Sequence, residues 1–193
     1  PRNEGIVEAY RGGCVRSATA IVNGRAFCEI AEFARSEPSF GLGIHFNLTD
    51  GVPLTSAKLL APGSRFRPKR ELWSMALGDA LPKEEIAAEL RAQIDAFIDT
   101  GLMPTHLDGH NHIHVFPGVW GAVVDVLNDY PQINAVRLPR EAAAVIDTPA
   151  SADGVPALPG TIAPSPPAVS LAEMGHPKAA FFRALADDIR PEA

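Results

Sequence analysis

Apolar residues recur at helical spacing in several segments of the chain. The strongest pattern covers 81–100, where Ile86, Leu90, Ile94 and Phe97 form one continuous stripe. Such a stripe predicts a helix with one face turned toward the core. Weaker versions of the same pattern predict an opening helix stopped by Gly12-Gly13 and further helices over 25–36, 73–77, 117–128 and 179–189.

Four other segments have the alternation or the β-branched content of strands. These strands alternate along the chain with the predicted helices, which is typical of parallel β/α units. We therefore expect an α/β fold with parallel strands, in the form of an irregular, barrel-like (β/α) domain. In such folds the functional residues gather at the carboxyl ends of the strands. The predicted strands are 15–22, 40–48, 104–108 and 135–138.

The last third of the sequence has a different composition. Six prolines lie between residues 149 and 167, and this density predicts irregular backbone over about 141–170. The 193 residues nevertheless fit the usual size of one domain, roughly 100–200 residues. We therefore treat 1–193 as a single domain that contains this irregular segment.

Charge and cysteine content argue against several classes of protein. The 17 basic and 23 acidic residues give a formal net charge of −6, whereas a nucleic-acid binder needs a clustered basic surface. No apolar run approaches the roughly 20 residues that cross a bilayer. Cys14 and Cys28 cannot build a disulfide framework. We expect both to be small apolar residues near the core of a cytoplasmic protein.

Four of the six histidines fall in the segment THLDGHNHIH. If this segment were extended, every second side chain would face the same side. Residues four apart on a strand are about 13 Å from each other, so these groups cannot all bind one metal ion unless the chain turns. Gly109 would permit such a turn. The polar side chains concerned are His106, Asp108, His110, His112 and His114.

A metal site is our first interpretation of this segment, because neutral imidazole is the commonest metal ligand. One or two ligands would come from it, and its other polar groups would orient ligands or contact a substrate. His45, near the end of the predicted strand in GLGIHFNLT, is the candidate for a further ligand. The competing interpretation is a surface histidine tract that binds metal adventitiously.

Two arginines follow the fourth predicted strand, in VRLPRE. Arg137 and Arg140 stand at the carboxyl end of that strand, where a substrate would lie. The alternative is that both are ordinary surface arginines, and the sequence alone favours neither interpretation.

Four motifs together resemble the YdjC-like carbohydrate deacetylases, a family that includes enzymes acting on chitooligosaccharides and others associated with hopanoid biosynthesis. The motifs are EAYRGGCVRSATAIVNGRAF, GLGIHFNLTDGVPL, PTHLDGHNHIHVFP and VRLPRE. The resemblance covers nearly the whole chain and implies a barrel-like hydrolase with one divalent metal ion. It implies Mg²⁺ in first place, with Zn²⁺, Co²⁺ or Mn²⁺ as alternatives. The family holds its metal with an Asp and two histidines, and His45 and His110 match those histidines.

The family's acidic pair does not occur in this sequence. It lies in an ADDFG segment at the end of the family's first strand, where one Asp is a metal ligand and the other is the catalytic base. We therefore expect the first strand, and a last strand that ends in a His-Pro motif, to be missing from this chain. The catalytic residues stay unknown on this basis. Asp108, His112 and His114 are candidates for orienting or proton-handling roles.

The function that the resemblance implies is hydrolysis of the N-acetyl group of an amino sugar or chitooligosaccharide. We expect a carbohydrate substrate, no nucleic-acid or membrane partner, and a homodimer as one form of assembly, while these residues alone are expected to be inactive. Two alternatives stay open. DGHNH also resembles the D-x-H-x-H motif of amidohydrolases, although that motif usually lies on the first barrel strand. A non-catalytic carbohydrate- or metal-binding homologue would fit the absent ADDFG segment.

Overall fold

The computed structural model describes residues 2–116 and 118–139 and the backbone of 169–170. Arg140, the predicted helix over 179–189 and nearly all of the predicted irregular segment over 141–170 lie outside the described residues.

Helices and strands alternate along the described chain, as the hydrophobic pattern predicts. A short 3₁₀ segment, His110–Val115, follows the third strand directly. The helices are α1 (Arg2–Arg11), α2 (Phe27–Ser36), α3 (Lys69–Leu77), α4 (Lys83–Ile98) and α5 (Val119–Leu127). The strands are β1 (Ser17–Ala20), β2 (Gly41–Phe46), β3 (Leu107–Gly109), β4 (Ala135–Val136) and β5 (Val169–Ser170).

The strands form one sheet in the order β1-β2-β3-β4-β5. The first four are parallel, and β5 pairs antiparallel with β4. The α/β class with parallel strands is therefore confirmed. The expectation of a barrel-like shape is corrected in one respect, because the sheet of the described residues is open and does not close on itself.

Helix α4 supplies much of the core, in the way its sequence predicts. Ile86, Leu90, Ile94 and Phe97 are all fully buried, and the helix packs against β2 and α5. Each side chain of this kind stabilises the fold by roughly 1.5–3 kcal/mol when it is removed from water. The predicted stripe on α4 is confirmed, but two polar residues of the same helix, Glu89 and Gln93, are fully buried as well.

Our expectation for the cysteines is wrong, because Cys14 and Cys28 are both exposed. Cys28 belongs to α2, whose buried face is formed by Phe27, Ile30, Ala31 and Ala34, and position 28 points away from that face. Cys14 follows the glycine pair that ends α1.

No helix among the described residues combines the length and the apolar character needed to cross a membrane.

Candidate metal centre

The carboxyl edge of the sheet brings the two sequence motifs together. β2 and β3 are parallel, and their register sets His45 opposite Asp108 and Phe46 opposite Gly109. Since paired positions of parallel strands carry their side chains on the same face, the GLGIHFNLT motif meets the THLDGHNHIH motif here. The site residues thus come from loops and strand ends at the edge where α/β folds bind ligands.

The second motif turns after Gly109, but the turn lies two residues later than the position that the sequence suggested. Asn111 and His112 have left-handed backbone angles, with φ of 55° and 59°, and the chain turns there. Asn and His enter this conformation more readily than most residues with a side chain. Gly109 itself is extended, at φ −127° and ψ 133°. The histidines of the motif therefore do not share one face.

Gly109 is needed for close packing and not for the turn. A Cβ atom at this position would lie 2.7 Å from Cγ of His114 and would also overlap the ring nitrogen Nδ1. The His114 ring therefore lies directly against the backbone of β3. A side chain at position 109 would therefore displace His114.

His45 and His110 form the centre of the site. Their ring centroids are 5.4 Å apart and the planes are inclined by 69°. Nδ1 of His45 lies 3.0 Å from Oγ1 of Thr19 and 3.6 Å from Oδ2 of Asp108. These oxygens favour a proton on Nδ1, which leaves the lone pair of Nε2 for a metal ion.

Burial keeps both central imidazoles neutral. It is the largest cause that lowers the pKa of His45, and it outweighs the opposing charge of Asp108. Burial also lowers the pKa of His110, where Asp50 acts in the opposite direction and the charges of Arg2 and Lys69 add to the lowering. Neutral imidazole is the form that binds metal ions.

Asp108 is a buried carboxylate whose oxygens are already engaged. Oδ1 accepts a hydrogen bond of 2.7 Å from the backbone N–H of Gly109, and Oδ2 accepts one of 3.0 Å from Nη1 of Arg137. Burial alone would raise the pKa of Asp108, but the hydrogen bonds from Gly109 and Arg137 hold it below its ordinary value. The side chain therefore stays ionised beside His45.

Arg137 joins the site to the end of β4. Its guanidinium holds Asp108, its backbone N–H donates to the carbonyl of Leu107 at 2.9 Å, and its own carbonyl accepts a bond of 2.7 Å from Nε2 of His114. The contact with a substrate expected from the sequence stays a prediction. What the geometry adds is that Arg137 fixes the carboxylate beside His45.

His114 is fully buried under the site. Because a carbonyl oxygen only accepts hydrogen bonds, the bond to Arg137 places the proton on Nε2. Nδ1 has no hydrogen-bond partner within the described part of the chain. Burial is the main cause that lowers the pKa of His114 to about 4.

The folded state should lose stability as the pH falls, because His114 binds a proton more readily in the unfolded chain than in the folded one. Its pKa falls from 6.5 in the unfolded chain to about 4 in the folded one. Between these values the unfolded chain binds more protons, so the contribution is complete above pH 6.5 and is lost as the pH falls toward 4. Between pH 7 and 5, the free energy of unfolding of the wild type should therefore fall by about 2 kcal/mol more than that of His114→Gln.

Urea denaturation of both proteins at the two pH values measures this difference. Gln keeps an N–H donor for the carbonyl of Arg137 but does not titrate. The other histidines whose pKa is lowered are present in both proteins, so their effects cancel. Equal pH slopes for wild type and His114→Gln would contradict the assignment of a neutral buried ring.

The remaining residues of the histidine segment lie apart from the central pair. The His106 ring packs over β2, where a Cβ at Gly43 would be 2.8 Å from its Nδ1 and Cε1, and Nδ1 also contacts Oγ1 of Thr105 at 2.8 Å. His112 is exposed at the tip of the turn. Arg140 lies outside the described residues. Roles for these residues in proton handling or substrate contact stay predictions.

Two contacts of the site were not anticipated from the sequence. Thr19, at the carboxyl end of β1, holds His45, and Nδ2 of Asn111 donates to Oγ1 of Thr49 at 3.0 Å. The second contact ties the turn of one motif to the loop of the other. Thr19 was the more predictable, since it is a polar residue near the carboxyl end of β1, which pairs with the strand of His45.

The residues present fit part of a metal site. Two neutral imidazoles lie within reach of a shared position, and one of them is oriented by a carboxylate, an arrangement common in metal sites. Within 2–116 and 118–139, however, no group of three or more His, Cys, Asp or Glu side chains could together hold an ion. These residues would therefore supply two ligands, His45 and His110, of a larger set.

The chain is similar to proteins of one known family. The sequence profile of the family described as "YdjC-like protein" matches residues 1–179. Curated relatives named chitooligosaccharide deacetylase, from Salmonella paratyphi B (strain ATCC BAA-1250 / SPB7) and Salmonella newport (strain SL254), are 46% identical over 123 residues. The match covers 63% of this chain and 48% of each relative, so the chain spans about half the length of these proteins.

A solved structure supports the fold. The crystal structure of a "putative cellobiose-phosphate cleavage protein" from Enterococcus faecalis V583 matches with a TM-score of 0.62 and 26% sequence identity. The match covers 74% of this chain and 55% of that protein. Taken with the profile match over residues 1–179, these findings show that the chain belongs to the YdjC-like protein family.

Proposed function

We propose that this chain is part of a metal-dependent carbohydrate deacetylase that removes the acetyl group from an N-acetylated amino sugar or chitooligosaccharide. The observation that carries the proposal is the pair of neutral imidazoles, His45 and His110, beside the buried carboxylate of Asp108. The names of the curated relatives support the substrate class.

The proposed cofactor is one divalent ion held in part by His45 and His110. When bound, such an ion supplies Lewis-acid polarisation of the acetyl carbonyl. The family resemblance favours Mg²⁺, whereas imidazole ligands also suit Zn²⁺, Co²⁺ and Mn²⁺.

The chain's own residues would orient this chemistry. In amide hydrolysis a water molecule adds to the acetyl carbon, the C–N bond breaks, and a proton must reach the leaving amine. Thr19 and Asp108 hold the His45 ring by Nδ1, and Arg137 holds Asp108. His112, exposed at the turn, is our candidate for handling the proton of the amine.

The amidohydrolase alternative finds less support. DGHNH would usually lie on the first strand of such a barrel, whereas here Asp108 and Gly109 lie on β3, after two parallel strands. A non-catalytic homologue remains as a possible outcome of the experiment.

The test is acetate release from N-acetylated chitooligosaccharides by the protein expressed from its complete open reading frame. We expect release that depends on an added divalent metal and stops with a chelator. A protein that binds one metal ion tightly but releases no acetate from any N-acetylated sugar would contradict the proposal. That result would favour a binding protein instead.

A further inference from the structure

Helix α3 carries an exposed face next to the candidate metal centre. Lys69, Trp73 and Leu77 are spaced four residues apart and therefore share one side of the helix. Trp73 is 39% exposed and Leu77 is 57% exposed. Single exposed apolar residues are common on protein surfaces, but an indole in this position has two further properties.

The first property is that the ring of Trp73 is held in place. It packs against Phe116 with ring centroids 4.7 Å apart and an interplanar angle of 71°. Phe116 is 6% exposed, and its N–H donates to the carbonyl of Ile113 at 3.1 Å. Phe116 directly follows the 3₁₀ segment His110–Val115. The segment that carries His110 thus also fixes the orientation of the indole.

The second property is that Trp73 lies close to the centre along α3. Lys69, the first residue of the helix, is near enough to His110 for its charge to contribute to the lowered pKa of that ring. Trp73 follows four residues later, which is about 6 Å along the helix axis at 1.5 Å per residue. The indole thus lies on the helix whose first residue is near His110, and it packs against the residue that follows the segment carrying His110.

We propose that Trp73 forms a sugar-binding subsite, in which the apolar face of a pyranose ring stacks on the indole. The sugar bound there is the neighbour of the one whose acetyl group is removed. A preoriented aromatic ring offers a large contact area and loses little conformational freedom on binding. The inference rests on the proposed deacetylase function and extends it, because it selects oligosaccharides over monosaccharides.

The test compares substrates of different length in wild type, Trp73→Ala and Trp73→Phe, each expressed from the complete open reading frame. Trp73→Ala should lower kcat/KM for N,N′-diacetylchitobiose and triacetylchitotriose about 10-fold through a higher KM, near the upper end of the effect of one aromatic contact. N-acetylglucosamine fills only the position of the reacting sugar and does not reach the indole, so its kcat/KM should change less than about 2-fold, below the smallest effect of one aromatic contact.

The conservative variant and a control separate stacking from folding. Trp73→Phe keeps an aromatic contact with Phe116 and should retain most of the activity on oligosaccharides. Met103→Ala removes another exposed apolar side chain, 50% exposed and located before the amino end of β3. It should behave as wild type with every substrate. An equal loss on mono- and oligosaccharides in Trp73→Ala, or no loss on either, would overturn the subsite.

A binding measurement keeps the subsite distinct from the deacetylase proposal. Isothermal titration with triacetylchitotriose should give a dissociation constant that rises about 10-fold in Trp73→Ala. Binding of this size without acetate release would support the subsite and contradict the deacetylase. Acetate release with the same dissociation constant in wild type and Trp73→Ala would support the deacetylase and contradict the subsite. A wild type that neither binds the sugar nor releases acetate would contradict both proposals.

Discussion

His45→Ala and His110→Ala are each expected to abolish acetate release and to remove stoichiometric metal from the protein. Both rings are neutral, and they lie side by side at the carboxyl edge of the sheet. Loss of an outer partner of a metal ligand typically costs 10–100-fold in affinity or activity. Loss of a ligand itself should exceed this, so we expect metal affinity to fall by at least about 100-fold.

The measurement is metal content after dialysis, by elemental analysis, together with acetate release from triacetylchitotriose. His106→Ala is the matched control, because it removes another histidine of the same motif whose ring packs over Gly43. It should keep its metal, and circular dichroism should show that all three variants fold. Full retention of stoichiometric metal in both His45→Ala and His110→Ala would refute the ligand assignment.

A graded variant tests how His45 is oriented. Thr19→Val removes the hydroxyl that lies 3.0 Å from Nδ1 and keeps the size of the side chain. Because Asp108 still lies 3.6 Å from the same nitrogen, the effect on metal affinity should be nearer about 10-fold, the lower end of the range for an outer partner.

The sequence was most informative where burial follows from spacing alone. The stripe on α4 and the apolar faces of α2 and α5 were predictable because a helix turns one periodic set of residues toward the core. All the stripe residues of α4 are buried in the structure. The position of His45 beside the THLDGHNHIH motif was also predictable, because the carboxyl ends of parallel strands lie at one edge of the sheet.

Features that depend on distant partners could not be predicted in this way. The turn in the histidine segment arises at Asn111 and His112 and not at Gly109. Gly109 pairs within the sheet as the last residue of β3, and its backbone packs against the His114 ring. The burial of Glu89 depends on loop residues 34 and 35 positions away. The helical spacing puts Glu89 on the same face as Ile86 and Leu90, but it does not show which distant groups would pair with a buried carboxylate there.

Glu89 anchors the loop that follows β2, residues 47–55, to helix α4. It is fully buried. Oε1 accepts from the N–H of Leu54 and from Nε2 of Gln93, and Oε2 accepts from the N–H and the hydroxyl of Thr55. All four partners donate, so the site requires a group that only accepts, which a carboxylate is and an amide is not.

Gln93 and Asn47 connect Glu89 with the candidate metal centre. Gln93 bonds the backbone N–H and carbonyl of Asn47, whose side chain accepts from the N–H groups of Thr49 and Asp50. Thr49 in turn accepts the bond from Asn111 in the turn beside His110. A continuous series of hydrogen bonds therefore runs from the core of α4 to the candidate site.

Glu89→Gln should consequently lower the free energy of unfolding far more than Glu85→Gln, the same substitution one helical turn earlier. Each oxygen of Glu89 accepts from two donors, so the amide NH₂ of Gln would face two donors in either orientation, and an unsatisfied buried group costs about 1–3 kcal/mol. We expect a loss of about 3 kcal/mol in the free energy of unfolding, because two donors would lose their acceptor. Glu85→Gln is the control, since Glu85 accepts from the N–H groups of Leu59 and Leu60 but is only half-buried.

The control should lose less than about 1 kcal/mol, because water can replace a partner at an accessible site. Urea denaturation at pH 7 gives both values, and acetate release shows whether the loosened 47–55 loop also disturbs the metal centre. If Glu89→Gln and Glu85→Gln cost the same small amount, the buried carboxylate does not hold the loop. The hydrogen bonds from α4 would then describe only how the loop packs.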